Sequence, residues 1–341
     1  MTFTHMSTTN EIGNGSRMKY LQLVDHIYAL IEKNDLHIGD RIPSLKQLQD
    51  QLSMSKETVL KGLNYLLEKG VIESVYRKGY YVKKIQVQHS YRILLLLDKM
   101  NPMREQIYQS LLAETKGIAD IDVYFHHHNF NVFKNIITEN INNYTHFVIV
   151  TFLKEDPSSI INLVPPSKRI IIDYNQLELS GLYACIYQDY EYDIYNSLSL
   201  LQDNIKKYKN LVLIAHPEAL HAKHVIKGFI SYCEEFNVKY NIQSEVDENK
   251  FEKHTAFITF SRYDSDDVSL IKLAKKHGFT LGYDIGLISY NDTDVKEILE
   301  GGITVISTDF QAMGKTTAEV ILQKKIVNFR NPTQVIIRNS L

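Results

Sequence analysis

Four side chains fall on one face of a predicted helix that opens at Ser55: Lys56, Thr58, Lys61 and Asn64. Two ammonium groups, a hydroxyl and an amide at that spacing can meet phosphates and base edges. The first turn of the helix adds unpaired backbone N–H groups that suit an anion. A second basic point follows at Arg77-Lys78, the tip of a predicted hairpin, where an arginine fits a narrow minor groove. Other clusters fail their own chemistry. Gly314-Lys315-Thr316 ends like a phosphate-binding loop, but the glycine needed five positions earlier is Asp309. His126-His127-His128 lies on a predicted strand, where neighbours alternate faces and cannot converge on a metal, so it reads as a solvated rim. Cys185 and Cys233 have no metal spacing and read as small packed residues in a reducing cytoplasm. There is no G-x-S-x-G elbow, no H-E-x-x-H and no dinucleotide fingerprint after a strand. The expectation is no enzyme, no cofactor and no metal.

The 341 residues suggest two or three domains, and 44% hydrophobic with 23% charged residues allow a sizeable core. The apolar run 93–97 is far short of the ~20 residues that a membrane helix needs. Residues 1–16 lack a basic start and an apolar segment, so they read as a disordered tail and not as a leader. Charge is unevenly spread: residues 17–85 carry 12 Lys and Arg against 8 Asp and Glu, although the whole chain is at −2. A basic head on an acidic body fits a phosphate-binding module joined to a part that avoids nucleic acid.

The elements that must position the basic face are legible. Leu23, Val24, Ile27, Leu30 and Ile31 form one helical stripe. Ser44 with Gln47 makes a capping box for a short helix that turns Leu45, Leu48 and Leu52 inward. After Ser53-Met54-Ser55, a third helix is capped by Ser55, carries Glu57 in its first turn, and buries Val59, Leu60, Leu63, Leu66 and Leu67. Strands at 71–74 and 79–83 add a wing to this helix-turn-helix over 17–83. Arg41-Ile42-Pro43-Ser44, Leu52-Ser53-Met54-Ser55-Lys56-Glu57-Thr58-Val59, Leu66-Leu67-Glu68-Lys69-Gly70-Val71-Ile72 and Gly79-Tyr80-Tyr81-Val82 together resemble the winged helix of GntR-family regulators. That resemblance implies DNA contacts at Arg41, Ser44, Lys46, Ser55, Lys56, Thr58 and Gly79. Lysine at 46 and 56, where the family commonly has arginine, removes the bidentate fork that reads guanine. Arg77 stands where the wing commonly has its first glycine.

After a linker at 84–90, strands and helices alternate to the end of the chain. Apolar runs at 93–97, 123–125, 147–150, 170–173, 184–187, 211–215, 256–260 and 286–290, separated by amphipathic helices, indicate buried parallel strands. The fold expected for 91–341 is α/β: two doubly wound lobes, 91–188 with 307–328 and 189–306 with 329–341, holding a ligand in the cleft between them. Tyr283-Asp284-Ile285-Gly286-Leu287-Ile288-Ser289-Tyr290-Asn291-Asp292-Thr293, then Gly302-Ile303-Thr304-Val305-Ile306 and Met313-Gly314, resemble the LacI-type sensor, which has the periplasmic sugar-binding-protein fold. The resemblance implies ligand contacts at Asn291, Asp292, Asp189 and Asp264. It also implies an arginine at a position that is Val225 here, with Lys223 or His224 as substitutes. Tyr174, Tyr187 and Tyr263, at predicted strand ends, offer an aromatic plate for a sugar, and Asn101, Glu105 and Tyr108 a rim for the first lobe.

These readings converge on a cytoplasmic, homodimeric regulator. It would bind double-stranded operator DNA and answer a monosaccharide, with a 6-deoxyhexose such as L-fucose or a pentose as the specific guesses. The rival readings are an enzyme acting on a sugar or nucleotide with a DNA-targeting head, and a constitutive DNA-binding protein with a vestigial sensor.

Overall fold

The computed structural model describes residues 14–32, 35–83, 91–175, 177–260 and 265–341. They divide into two compact units, Met1–Tyr91 and Arg92–Leu341.

In the first unit, α1 (Asn14–Glu32), α2 (Leu45–Leu52) and α3 (Lys56–Glu68) precede an antiparallel hairpin of β1 (Ile72–Val75) and β2 (Gly79–Val82). Residues 14–16, expected in the tail, are the first turn of α1; the rest of that tail and the linker 84–90 lie outside the described residues. The capping box at Ser44 forms in both directions, and Ser53, at φ 50, makes the left-handed turn into α3. Leu23, Ile27, Leu48, Val59, Leu63 and Leu66 are fully buried together, so the stripes predicted on three helices share one core.

The second unit opens with β3 (Tyr91–Leu97), α4 (Pro102–Glu114), β4 (Ala119–Phe125), α5 (Phe130–Asn140), β5 (His146–Val150), α6 (Ser158–Ile161), β6 (Arg169–Asp173) and β7 (Ala184–Tyr187). The chain then crosses to a second lobe. This comprises α7 (Tyr190–Leu200), α8 (Gln202–Ile205), β8 (Asn210–Ile214), α9 (Ala222–Glu235), β9 (Tyr240–Gln243), β10 (Thr255–Thr259), α10 (Ser265–His277), β11 (Ile285–Tyr290), α11 (Asp294–Ile298) and β12 (Thr304–Thr308). It returns through α12 (Phe310–Gln323) and β13 (Asn328–Arg330), and crosses once more to β14 (Thr333–Ile336). The first lobe's sheet runs β13-β7-β6-β5-β3-β4 and the second's β14-β12-β11-β10-β8-β9. The inner strands pair in parallel, and Ile93 to Leu97 are all fully buried, as strands covered by helices on both faces must be.

Several local expectations change. The histidine run does not lie on a strand: β4 ends at Phe125, and His127 and His128 take φ of 50 and 57 in a left-handed turn. His126 is fully buried instead of solvated: it follows the end of β4 and packs against Phe133, its Nε2 donates to the Val150 carbonyl at 3.2 Å and its Nδ1 accepts from the His128 N–H at 3.1 Å. Gly314 earns its place by packing: a Cβ there would stand 2.4 Å from the Ile107 carbonyl oxygen, so α12 approaches α4 too closely for any side chain. Cys185 and Cys233 are free and buried, and burial pushes both thiols up to about 12.

Candidate nucleic-acid interface and ligand cavity

Arg41, Lys46, Lys56, Lys61, Asn64, Arg77 and Lys78 are all exposed on the first unit. Arg41 bridges to Tyr81 of β2, and the Ile42 N–H donates to the Tyr80 carbonyl at 3.0 Å, so the segment before α2 runs beside the wing. Gly79, at φ 112, would place a Cβ 3.1 Å from Arg41 Nε, so the guanidinium lies across the wing's glycine. Arg77 takes φ 61 and holds its guanidinium 5.1 Å from the Tyr76 ring. Lys61 Nζ stands 5.3 Å from the Tyr20 ring. The expected hydroxyl contacts are engaged in capping. Ser44 closes its box with Gln47, and Thr58 is buried with its hydroxyl 2.8 Å from Ser55 Oγ. Those caps fix where α2 and α3 begin, and so where Lys46 and Lys56 project.

In the second unit, a cavity of about 280 Å³ lies between the lobes. One wall holds three buried charges. Arg104 of α4 donates from Nε to Asp98 Oδ1 at 2.7 Å and pairs through Nη1 with Asp173 Oδ2 at 2.6 Å. Asp173 also accepts from Gln188 Nε2 and, at 3.0 Å, from the Tyr190 hydroxyl. Although burial opposes its charge, the Arg104 guanidinium holds the Asp98 carboxyl below its ordinary value. Aromatic rings adjoin these charges, with the Arg104 guanidinium 5.6 Å from the Phe152 ring. Tyr190 stacks on His221 at 4.9 Å and 18°, His221 meets Phe260 at 4.8 Å, and Phe260 meets Tyr290 at 4.0 Å. Phe152 approaches His221 edge-on at 5.9 Å and stacks on Tyr174 at 5.1 Å. Carboxylates, a guanidinium and an amide beside ring faces offer fixed polar partners and an apolar plate, the combination that recognises a hydroxylated ring.

The crossings between lobes are laced to this wall. Thr308 Oγ1 donates to Gln188 Oε1 at 2.5 Å, the Asn331 N–H donates to the Tyr187 carbonyl at 2.8 Å, and Asn331 Nδ2 donates to the Asp309 carbonyl at 2.9 Å.

Of the residues expected from sequence, Asn101 and Asn291 line the cavity. Asn101 caps α4, and Asn291, at φ 60, accepts the Thr308 N–H at 3.3 Å. Tyr174 lies behind Phe152 and reaches the Leu220 carbonyl of the other lobe at 3.5 Å. The other described ones stand outside the lining. Asp189 caps α7, Asp292 is bidentate with Arg338 at 2.7–2.8 Å, and Glu105 pairs with Gln109 at 2.6 Å. Tyr108 and Tyr187 are half-buried off the cavity, Lys223 is exposed, and His224 meets Tyr174 at 6.5 Å without lining the space. Tyr263 and Asp264 lie outside the described residues. Sequence reasoning missed Asp98, Arg104, Asp173, Gln188, Tyr190 and His221. Asp98 and Asp173 carry a usable signal, since each sits at the carboxyl end of a predicted strand; nothing in the sequence distinguishes Arg104 from a surface arginine.

Residues 19–82 match the family described as bacterial regulatory proteins, gntR family. The chain is 33% identical over 75 residues to the mannosyl-D-glycerate transport/metabolism system repressor MngR of Escherichia coli, covering 22% of this chain and 31% of that protein. The chain spans only 15–31% of the length of the curated relatives it matches. Structural likeness falls elsewhere. A periplasmic binding protein/LacI transcriptional regulator from Alkaliphilus metalliredigens, solved with D-xylulofuranose, superposes with TM-score 0.58 and 14% identity, covering 74% of this chain and 99% of that one. A lac repressor dimer bound to operator and the anti-inducer ONPF gives TM-score 0.60 and 14% identity, covering 74% of this chain and 94% of that one. The chain thus joins a winged helix-turn-helix that matches the gntR family to a two-lobed segment with the LacI/periplasmic-binding-protein fold. Among the described residues, no helix is long and apolar enough to cross a membrane.

Proposed function

We propose that this protein is a ligand-responsive transcription regulator of sugar utilisation, with residues 17–83 as the DNA reader and 91–341 as the sensor. The single observation that carries the reading is the cavity between the lobes, with its buried Asp98–Arg104–Asp173 group beside stacked rings, in a chain whose other unit exposes a basic winged helix. Its volume, about 280 Å³, is near the small end of ligand pockets at ~300 Å³ and suits a monosaccharide. L-Fucose and pentoses are the first to try, and the D-xylulofuranose in the Alkaliphilus structure supports the pentose. The protein binds and releases its effector without turnover, acts in the cytoplasm, and binds operator DNA as a homodimer whose heads meet two half-sites about one helical turn apart. The lac repressor dimer on its operator supports that arrangement. Effector and operator affinities are coupled reciprocally: a sugar that weakens DNA binding is itself bound more weakly by the DNA complex.

The test is a thermal-shift screen against monosaccharides and their phosphates, followed by operator binding with and without the hit. A ligand at 100 times its dissociation constant adds about 2.7 kcal/mol to the state that binds it. A shift with one sugar that also changes operator affinity supports the regulator. Turnover of the bound sugar over hours would replace it with the enzyme reading.

A further inference from the structure

Resting on that sensor reading, we infer that the cavity selects an uncharged polyhydroxyl ligand over its phosphate ester, and that the His221 imidazole is one of the groups that hydrogen-bond it. Arg104 is the one buried cation among the described lining residues, and two of its three guanidinium nitrogens are committed to carboxylates. Its Nε and Nη1 are taken by Asp98 and Asp173, at 2.7 and 2.6 Å, so the buried group carries two negative charges against one positive. Turning the guanidinium toward a phosphate would strip two buried carboxylates of their partner, and bringing a dianion beside them adds repulsion. The other lining lysines are not buried: Lys99 is half-exposed, and the Lys154 side chain is 75% exposed and 4.0 Å from Glu218.

His221 supplies what a neutral ligand needs. The ring lines the cavity, lies flat on Tyr190, and is walled by Phe260 and Phe152. Among the described residues, Nδ1 is buried with no hydrogen-bond partner, which is uncommon for a group that folding removes from water. Burial holds its pKa down to about 4, so at neutral pH the ring is an uncharged donor and acceptor. One turn further along α9, where the LacI-type resemblance implied an arginine, Val225 is fully buried; Lys223 is exposed and His224 stands outside the lining. The polar group that this helix brings to the cavity is therefore neutral.

The experiment is titration calorimetry of the full chain with D-ribose, D-xylulose and D-glucose, each beside its terminal phosphate ester, on the wild type, His221→Phe and His221→Gln. Phenylalanine keeps the stack and removes both nitrogens; glutamine restores a neutral hydrogen-bonding group. His221→Leu replaces the phenylalanine variant if that fails to fold by circular dichroism. The expected result is binding of at least one free sugar with its phosphate at least about tenfold weaker. H221F should bind that sugar about tenfold or more weakly, a loss the size of one hydrogen bond to the ligand, and H221Q should recover part of it. A phosphate ester that binds more tightly than its parent sugar would overturn the inference and leave the sensor reading standing. So would wild-type affinity in H221F. No binding by any member, with no member moving the melting curve, overturns both.

Discussion

Thr308, the last residue of β12, donates from Oγ1 to Gln188 Oε1 at 2.5 Å, and the Gln188 amide nitrogen donates in turn to Asp173. Two of the three strands of chain that cross between the lobes are thereby tied to the buried charges of the cavity wall. A change in lobe angle, as the proposed sensor requires, is expected to act on this chain of bonds and so to couple the cavity to the crossings.

Thr308→Val tests that coupling. Valine keeps the shape, removes the hydroxyl and leaves Gln188 Oε1 buried without its partner. The expected cost is about 1–3 kcal/mol in urea denaturation. A sugar-induced change in operator affinity should shrink in the same variant. Wild-type stability together with a wild-type operator response would remove Thr308 from it.

Arg104→Met leaves Asp98 and Asp173 facing each other in a buried wall. Breaking such a group from one side costs about 3–5 kcal/mol. Adding Asp98→Asn and Asp173→Asn to the same chain should recover much of the stability and none of the sugar binding. Denaturation of the single and triple variants measures the first, calorimetry the second. Equal destabilisation of the two would show that charge is not what Arg104 contributes.

Arg41→Ala and Lys56→Ala should each weaken operator binding and leave sugar binding unchanged, because both residues belong to the first unit. Each lost phosphate contact should reduce the slope of log affinity against log salt by about 0.9. Fluorescence anisotropy across a salt series reads both quantities. An unchanged affinity and slope in both variants would remove this face from the interface.

Acid should destabilise the second unit between pH 6.5 and about 4. Burial, the largest cause in each case, holds His126, His146 and His221 at about 4, against about 6.5 in the unfolded chain. Above 6.5 both states are neutral there and these residues contribute nothing to pH dependence. Below it, the unfolded chain takes up the protons first and the folded state loses ground. Asp193 acts in the opposite sense: burial raises it to about 6, so on acidification the folded state takes up that proton before the unfolded carboxylate does, near 3.8. Three histidines outweigh one carboxylate, so the melting temperature should fall across this window. Asp193→Asn should steepen the fall and His126→Gln should flatten it. Melting curves that are flat from pH 6.5 to 4.5 would contradict the burial of these rings.

The first unit was almost wholly legible because its signals are local. A capping serine and its glutamine lie three residues apart, helical stripes repeat within one turn, and the basic residues proposed to meet DNA lie close together in sequence, just before and on α2, on α3 and in the hairpin. The parallel strands were legible for a related reason: a strand buried on both faces must be apolar throughout, as 93–97 is. The short edge strands β9, β13 and β14 were not foreseen. They are three or four residues long, and largely exposed side chains such as Asn328, Phe329 and Arg330 leave no apolar run to read.

The candidate ligand site was legible only in outline. The sequence by itself determined the alternation that builds two lobes, and with it the rule that a ligand sits at the carboxyl ends of their strands. Only the tertiary structure decided which side chains meet there. Asp98, Arg104 and Asp173 come from a strand end, a helix and a second strand end, and their pairing is a contact between elements that no spacing encodes. The same holds for His221 between Tyr190 and Phe260. Periodicity and capping act within a few residues, whereas a buried charge or ring is satisfied by whatever the packing of distant elements places beside it.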